Sequence, residues 1–199
     1  MTMQEYKPTR RAVLQGIAGA AICAAPMTRA FAAIGDGITF ELDREGGWIH
    51  SIVRGERRHS EKADLPSAMV YSSDHQVLHV THGYTTYLGL PAGAISSYRV
   101  EPNGHLQRLT TQGLSLTAMS PHHVAISPDG RSLAIAAAGG RVLNMLSVTE
   151  ENAAGEVIAV HRKLRGNIPH EFFFDRDGAL CVDSHRYAML EGRLARIGG

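Results

Sequence analysis

The chain has 199 residues, of which 44% are hydrophobic and 20% are charged, and its formal net charge is +1. These proportions are typical of a globular protein and exclude a disordered or fibrous chain. Aromatic residues amount to only 6%, and no basic stripe is interleaved with them, so the composition gives no support to nucleic-acid binding.

The N-terminal segment has the layout of an export signal. Arg10-Arg11 precede a mildly apolar run over residues 12–25, and Ala30-Phe31-Ala32 is the small-residue pattern of a cleavage site. The arginine pair resembles the twin-arginine export motif, which a receptor recognises. The alternatives, an ordinary amphipathic helix or a membrane anchor, are disfavoured because the apolar run is short and rich in Gly and Ala.

We therefore predict a twin-arginine signal peptide over residues 1–32 and a mature domain over residues 33–199 that is periplasmic or secreted. After cleavage behind Ala32, we expect no contact of the mature domain with a membrane. Cys23 lies inside the leader, so Cys181 alone remains and cannot form an intramolecular disulfide. The stability of the mature domain must then come from its hydrophobic core.

The mature sequence contains one motif three times. Each copy begins near a proline, continues with alternating apolar residues and turns at an aspartate, which is the pattern of a β-hairpin. The copies are LPSAMVYSSDHQVLHV from Leu65, SPHHVAISPDGRSLAI from Ser120 and IPHEFFFDRDGALCV from Ile168. The third copy is one residue shorter after its Asp-Gly, which places Leu180 level with Leu133.

A second hairpin follows each copy, and a further hairpin, ITFELDREGGWIHSIV from Ile38, precedes the first copy. The sequence therefore predicts an all-β chain with about three to three and a half units of four short antiparallel strands. Four-stranded units that repeat about every 50 residues are typical of β-propeller blades. A β-sandwich would also contain many short strands, but it would not require the repeated proline and aspartate.

The length is short for a complete ring. Propellers have at least four blades and commonly seven, and seven blades of about 50 residues would require roughly 350 residues. The chain would then be a fragment, a truncated reading frame, or one half of a ring that self-association completes.

The blade opening SPHHVAISPDGRSLAI, the hairpin AISSYRVEPNGHLQRL and the leading GDGITFELDREGGWIHSI resemble the seven-bladed propeller lactonases, a family similar to the cycloisomerase-like 6-phosphogluconolactonases. The resemblance extends from Ile34 to about Gly199 and implies a partial lactonase-like propeller over residues 33–199. The chain departs from the family pattern at Ala136-Ala137-Ala138 and at Asp183-Ser184-His185. The resemblance also implies a constellation of His, Glu and Arg around the channel mouth.

The repeat places His122 and His170 at equivalent positions, where the innermost strands of two blades begin at that mouth. A histidine or glutamate can activate water as a general base, and an arginine can stabilise an oxyanion or bind a carboxylate. The predicted catalytic residues are His170, Glu171, His122 and Arg165, and the predicted substrate-binding residues are Arg141 and His123. We expect hydrolysis of a sugar or organic-acid lactone without a cofactor or a metal.

Several other interpretations compete with this one. The histidines after proline could bond backbone groups between blades, and the chain could be an inactive fragment or a propeller that only binds a protein or carbohydrate. A metal site is disfavoured because His122 and His123, as neighbours on a strand, should point to opposite faces. A phosphate-binding loop over residues 136–140 is disfavoured because no Lys-Ser/Thr follows, and Arg57-Arg58 is predicted to be a solvated loop.

Overall fold

The computed structural model describes residues 29–33, 37–164 and 168–198, and of residues 29–33 only the backbone. Within these ranges the chain forms four antiparallel sheets of four strands each, with each strand beside its neighbour in sequence. We call the sheets blades 1 to 4 in chain order. No helix in the described ranges has the length and hydrophobicity needed to cross a bilayer.

Blades 1 and 2 supply the first eight strands. Those of blade 1 are β1 (Arg29–Ala33), β2 (Ile38–Asp43), β3 (Trp48–Val53) and β4 (Glu56–Lys62). Those of blade 2 are β5 (Pro66–Ser72), β6 (Val77–His82), β7 (Ala94–Val100) and β8 (Leu106–Gly113).

Blades 3 and 4 supply the other eight strands. Those of blade 3 are β9 (Pro121–Ile126), β10 (Ser132–Ala137), β11 (Val142–Val148) and β12 (Ala154–Arg162), with one 3-10 turn at Gly139–Arg141 between β10 and β11. Those of blade 4 are β13 (Phe172–Phe174), β14 (Leu180–Val182), β15 (His185–Leu190) and β16 (Arg193–Gly198).

The predicted all-β propeller architecture is confirmed, and the strand register follows the sequence repeat. Leu133 pairs with Ile126 in blade 3, and Leu180 pairs with Phe174 in blade 4. The missing residue of the third copy therefore falls in the hairpin turn, where Gly178 has φ of +79°. A glycine adopts this backbone conformation without steric cost.

Blade 1 is a full sheet of four strands, so the described residues form four blades. The sequence had predicted three to three and a half. The extra strands are β1, which overlaps the last residues of the predicted leader, and β4. Arg57 and Arg58 lie in β4, so the loop predicted for them is wrong. An outermost strand can be this polar because one of its edges faces solvent.

Apolar side chains between adjacent blades form the core. Met69 and Tyr71 of β5 pack against blade 1, and the Tyr71 ring lies 5.2 Å from that of Phe40. Val124 of β9 packs against blade 2, and Phe172 of β13 packs against blade 3. Burying a side chain as large as Phe172 contributes about 1.5–3 kcal/mol. The apolar side chains that alternate along each inner strand therefore pack its blade against the preceding one.

The loops at the end where β5, β9 and β13 begin form a belt, which we call the mouth rim. It consists of residues 44–47, 63–65, 83–93, 114–120, 138–141, 183–184 and the described part of 163–171. Backbone hydrogen bonds connect successive loops across the blades, as from Gly83 N to Leu65 O at 2.7 Å and from Gly139 N to Met119 O at 3.0 Å. Residues distant in sequence are therefore held beside one another at this end.

Candidate functional site

A pair of histidine side chains lies at the start of β9 on the mouth rim. Where β9 pairs with β10, Pro121 lies opposite Ala137 and His123 lies opposite Ala136. The residue between them, His122, is therefore a β-bulge with no partner on β10. The two imidazole rings meet edge to face with centroids 4.8 Å apart. The expectation that His122 and His123 point to opposite faces is therefore wrong, because a bulge re-aims a side chain out of strict alternation.

The surroundings of His122 fix the tautomer of its ring. Its Nδ1 lies 3.3 Å from the backbone oxygen of Ser120, and a carbonyl can only accept a hydrogen bond, so Nδ1 carries the proton. Nε2 then holds a lone pair, and it is buried without a hydrogen-bond partner among the described residues. Burial lowers the pKa of His122, the Ser120 carbonyl opposes that shift, and the positive charge of Arg44 adds to it. The neutral ring is the form expected at pH 7.

His123 is buried more deeply, with 6% of its surface exposed, and its ring lies 5.6 Å from the ring of Phe172. Its Nδ1 is also buried without a hydrogen-bond partner among the described residues. Burial lowers its pKa to about 4, helped by the neighbouring His122 and by Arg44 and opposed by the carboxylate of Asp183. His123 therefore presents a neutral ring that supports the ring of His122.

Arg44 brings a positive charge from blade 1 to this pair. It lies on the turn between β2 and β3, is partly buried, and its Nε is enclosed without a hydrogen-bond partner among the described residues. Burial lowers the pKa of the guanidinium. Sequence analysis missed Arg44. Its position could have indicated it, because Arg44 directly follows the second strand of blade 1. In every blade, the turn after the second strand lies on the mouth rim.

Asp183 holds the chain where β13 begins. Its Oδ1 accepts hydrogen bonds from the backbone amides of His170 at 2.7 Å and Glu171 at 3.1 Å. In return, the amide of Asp183 donates to the backbone oxygen of Glu171 at 3.0 Å. Asp183 therefore fixes the backbone of His170 and Glu171, which are the blade 4 equivalents of His122 and His123. In the sequence, Asp183 was noted only as a departure from the family pattern.

The other predicted site residues are less closely associated with the histidine pair. His170 and Glu171 occupy the equivalent positions in blade 4, and both are exposed. In the part of the chain that the structure describes, no hydrogen bond or ion pair joins their side chains to His122 or His123. Arg141 is exposed on the turn after β10, and Arg165 lies outside the described residues.

A second polar network lies on the rim between blades 1 and 2. His82 Nδ1 donates to the backbone oxygen of Asp64 at 2.7 Å, so its Nε2 accepts from the Ser96 hydroxyl at 2.7 Å. The Ser96 oxygen in turn lies 2.8 Å from the Thr111 hydroxyl, and the Tyr84 ring stacks on His82 at 5.3 Å. Ser96 is only 1% exposed, so this network supports the rim and offers no accessible nucleophile.

A sequence model of the family described as "Lactonase, 7-bladed beta-propeller" matches residues 35–184. Comparison with curated protein sequences gives no match.

Among solved structures, the periplasmic gluconolactonase of Pseudomonas aeruginosa is similar with a TM-score of 0.64 and 16% identity, over 90% of this chain and 53% of that one. A proposed 6-phosphogluconolactonase of Bacteroides fragilis is similar with a TM-score of 0.64 and 15% identity, over 85% of this chain and 54% of that one. At such identities the likeness concerns the fold. The chain spans about half the length of these structures.

Proposed function

The chain belongs to the family of lactonases with seven-bladed β-propellers, and from this we propose that it hydrolyses a sugar or organic-acid lactone at the mouth rim. The observation that carries the proposal is the state of His122. Its proton is held on Nδ1 by the Ser120 carbonyl, and its neutral Nε2 keeps a free lone pair. A neutral imidazole with a free lone pair is the form that acts as a general base.

In the proposed reaction, His122 Nε2 takes a proton from water while the water oxygen bonds to the lactone carbonyl carbon. The carbonyl oxygen becomes an oxyanion, and Arg44 supplies the nearby positive charge that stabilises it. Collapse of the tetrahedral intermediate breaks the ring carbon–oxygen bond. The protonated His122 returns its proton to the departing alkoxide, which leaves the hydroxy acid and the neutral ring.

His122 Nε2 is enclosed, so the proposed reaction requires the groups that cover Nε2 to move aside while Nδ1 keeps its hydrogen bond to the Ser120 carbonyl. Catalytic contacts of this kind commonly tighten only when substrate is bound. His170 and Glu171 stay candidates for the same role, since the repeat gives them the equivalent positions in blade 4.

The test is lactone hydrolysis by the purified chain, measured against the spontaneous rate with gluconolactone and 6-phosphogluconolactone. His122→Ala should lower kcat/KM by about 100-fold or more, the scale of a lost general base. His105→Ala is the matched control, because this exposed histidine lies on the β7–β8 turn at the opposite end. His170→Ala and Glu171→Gln in the same assay decide whether the equivalent blade contributes.

A folded chain that hydrolyses neither lactone would contradict the enzymatic proposal. It would favour the alternative of a propeller that only binds its ligand, which the burial of both His122 Nε2 and His123 Nδ1 also supports. Equal loss in the His122 and His105 variants would instead show a general effect on folding.

A further inference from the structure

Three exposed cationic side chains lie together on the mouth rim in blade 3. Arg162 is the last residue of β12, the outermost strand of the blade, and Lys163 follows it. The ladder between β11 and β12 pairs Val142 with Arg162. Beyond this pair, Leu164 N donates to Arg141 O at 3.0 Å, which brings Arg141 beside Lys163. Residues paired across strands are about 5 Å apart, so the three cations share a small area.

These cations have no carboxylate partner. Among the described residues, no ion pair involves Arg141, Arg162 or Lys163. The neighbouring loops, residues 83–93 and 114–120, contain no charged residue. The acidic side chains of the described rim lie in blade 1, on its connection to blade 2 or at blade 4, and they are Glu45, Asp64, Glu171 and Asp183. This part of the rim therefore carries uncompensated positive charge, which attracts anions.

A stack of two tyrosine rings lies on the rim in blade 2. The Tyr87 ring stacks on that of Tyr84 with centroids 5.8 Å apart and an interplanar angle of 15°, and both side chains are partly exposed. A Cβ added at Gly113 would lie only 3.2 Å from Tyr87 Cδ1. The Tyr87 ring is therefore packed against the end of β8, which is the outermost strand of its blade.

The loop that follows β8 connects the tyrosine stack to the cations. Its Leu116 backbone oxygen accepts a hydrogen bond from Arg162 Nη1 at 3.3 Å, and its Thr117 hydroxyl accepts a second from the same atom at 2.9 Å. Thr117 N donates in turn to the backbone oxygen of Pro91, in the loop that carries both tyrosines, at 2.7 Å. The rings and the cations therefore belong to one surface. We call it the outer edge, and it consists of Tyr84, Tyr87, Arg141, Arg162 and Lys163.

The outer edge offers two kinds of contact that a chain of uronic acids uses together. A tyrosine ring can pack against the C–H face of a sugar ring, and arginine and lysine bind carboxylates. Every uronic acid unit carries both groups. Because the contacts are spread over blades 2 and 3, an extended chain reaches more of them than a small anion can. Nucleic acid is disfavoured because aromatic residues are only 6% of the chain and are not interleaved with a basic stripe.

We propose that the outer edge binds an acidic polysaccharide made of uronic acids, with Tyr87 against a sugar ring and the three cations on carboxylates. β8 and β12 are the outermost strands of their blades, whereas His122 lies on β9, the innermost strand. A polymer on the outer edge therefore leaves the channel side of the rim accessible. The inference goes beyond the proposed lactonase activity and does not rest on it.

The test is fluorescence anisotropy of a labelled galacturonic acid oligomer titrated with the full chain. The double variant Arg141→Asn/Lys163→Asn should weaken binding by about tenfold, since each exposed ion pair contributes about threefold. Both residues have a positive φ, +49° and +68°, which asparagine adopts more readily, so the unfolding temperature should not fall. Tyr87→Leu should weaken binding by about fivefold, the scale of an aromatic contact.

Arg193→Gln is the matched control, because this exposed arginine lies at the start of β16 at the opposite end. It should bind the oligomer like the unmodified chain. A neutral galactose oligomer should bind at least about tenfold more weakly, and added salt should weaken binding of the charged oligomer. All variants carry the same N-terminal segment, so differences between them report on the outer edge.

No binding by the unmodified chain, or undiminished binding by the double variant, would overturn the proposal. An equal loss in Arg193→Gln would also overturn it, because binding would then follow net charge alone. So would equal affinity for a single-stranded DNA oligomer, since the outer edge would then attract any polyanion. Oligomer binding and lactone hydrolysis are measured separately, so failure of one proposal leaves the other standing.

Discussion

The imidazole rings of His122 and His123 meet edge to face, with centroids 4.8 Å apart and an interplanar angle of 83°. Consecutive strand residues make this contact only because the bulge at the start of β9 takes His122 out of the ladder. Both rings are kept neutral by burial, which lowers both pKa values. The arrangement leaves the lone pair of His122 Nε2 unpaired among the described residues and enclosed beside the mouth rim.

The pH dependence of lactone hydrolysis should report on His122. Burial lowers the pKa of this ring below its usual 6.5. In a plot of kcat/KM against pH, the rising limb should therefore be centred below pH 6.5, and the profile should be level at neutral pH. The rate of His122→Gln should be low and lack that limb. A limb centred at or above 6.5 in the unmodified chain would contradict the assignment.

Arg44 should act on the same limb through its charge. Its guanidinium lowers the pKa of both His122 and His123, so Arg44→Gln should move the limb to higher pH and lower kcat/KM by about 100-fold, the scale of a lost oxyanion contact. Arg44→Lys keeps the charge and should keep the position of the limb. The comparison is a pH–rate profile of the three proteins. An unmoved limb in Arg44→Gln would show that Arg44 has no electrostatic part in the site.

Removal of the Asp183 carboxylate should loosen the start of β13. Asp183→Ala deletes two hydrogen bonds accepted from backbone amides and should lower the free energy of unfolding by about 1–3 kcal/mol. The measurement is urea denaturation. Asp177→Ala is the control, because that carboxylate is largely exposed and its ion pair with Arg186 is 3.5 Å long. Equal losses in the two variants would contradict the specific role of Asp183.

His79 should make the fold sensitive to acid. The ring is fully buried between blades 2 and 3, and burial lowers its pKa to about 3, with a smaller contribution from His75. The unfolded chain has the higher pKa, so it takes up the proton first as the pH falls. The contribution of the neutral ring to the free energy of unfolding is therefore complete above pH 6.5. It is lost progressively as the pH falls from 6.5 toward 3, by up to about 1.4 kcal/mol per pH unit.

His79→Gln should therefore be less stable than the unmodified chain at pH 7 and should lose stability less steeply between pH 6.5 and pH 4. Thermal unfolding across this interval measures both effects. The exposed His105→Gln should retain the slope of the unmodified chain. The same slope in the His79 variant would assign the acid sensitivity to other groups.

Export should depend on the arginine pair near the N-terminus. If Arg10-Arg11 form a twin-arginine signal, changing both to lysine should retain the protein in the cytoplasm, because the receptor recognises the guanidinium groups. Cell fractionation measures this, and undiminished export of the double variant would refute the prediction. N-terminal sequencing of the exported chain then tests cleavage after Ala32, which would remove four of the five residues of β1.

The blades were predictable from sequence because their determinants are local. Alternating apolar residues, a proline before the inner strand and a turn at an aspartate recur at Pro66, Pro121 and Pro169, and they fix strand pairs through contacts within one hairpin. The one-residue deletion in the third copy could be placed in a turn for the same reason. β1 escaped notice because its small residues also fit a cleavage site.

The sequence by itself determined the class of fold, the end at which the mouth lies and the presence of His122 and His123 there. Only the tertiary structure decided that their rings touch, that Arg44 from blade 1 brings its charge to a pair in blade 3, and that Arg162 of blade 3 binds the loop beside Tyr87 of blade 2. These relationships join residues of different blades, or depend on a bulge in the ladder. No periodic pattern encodes them, because they arise only when the blades pack side by side.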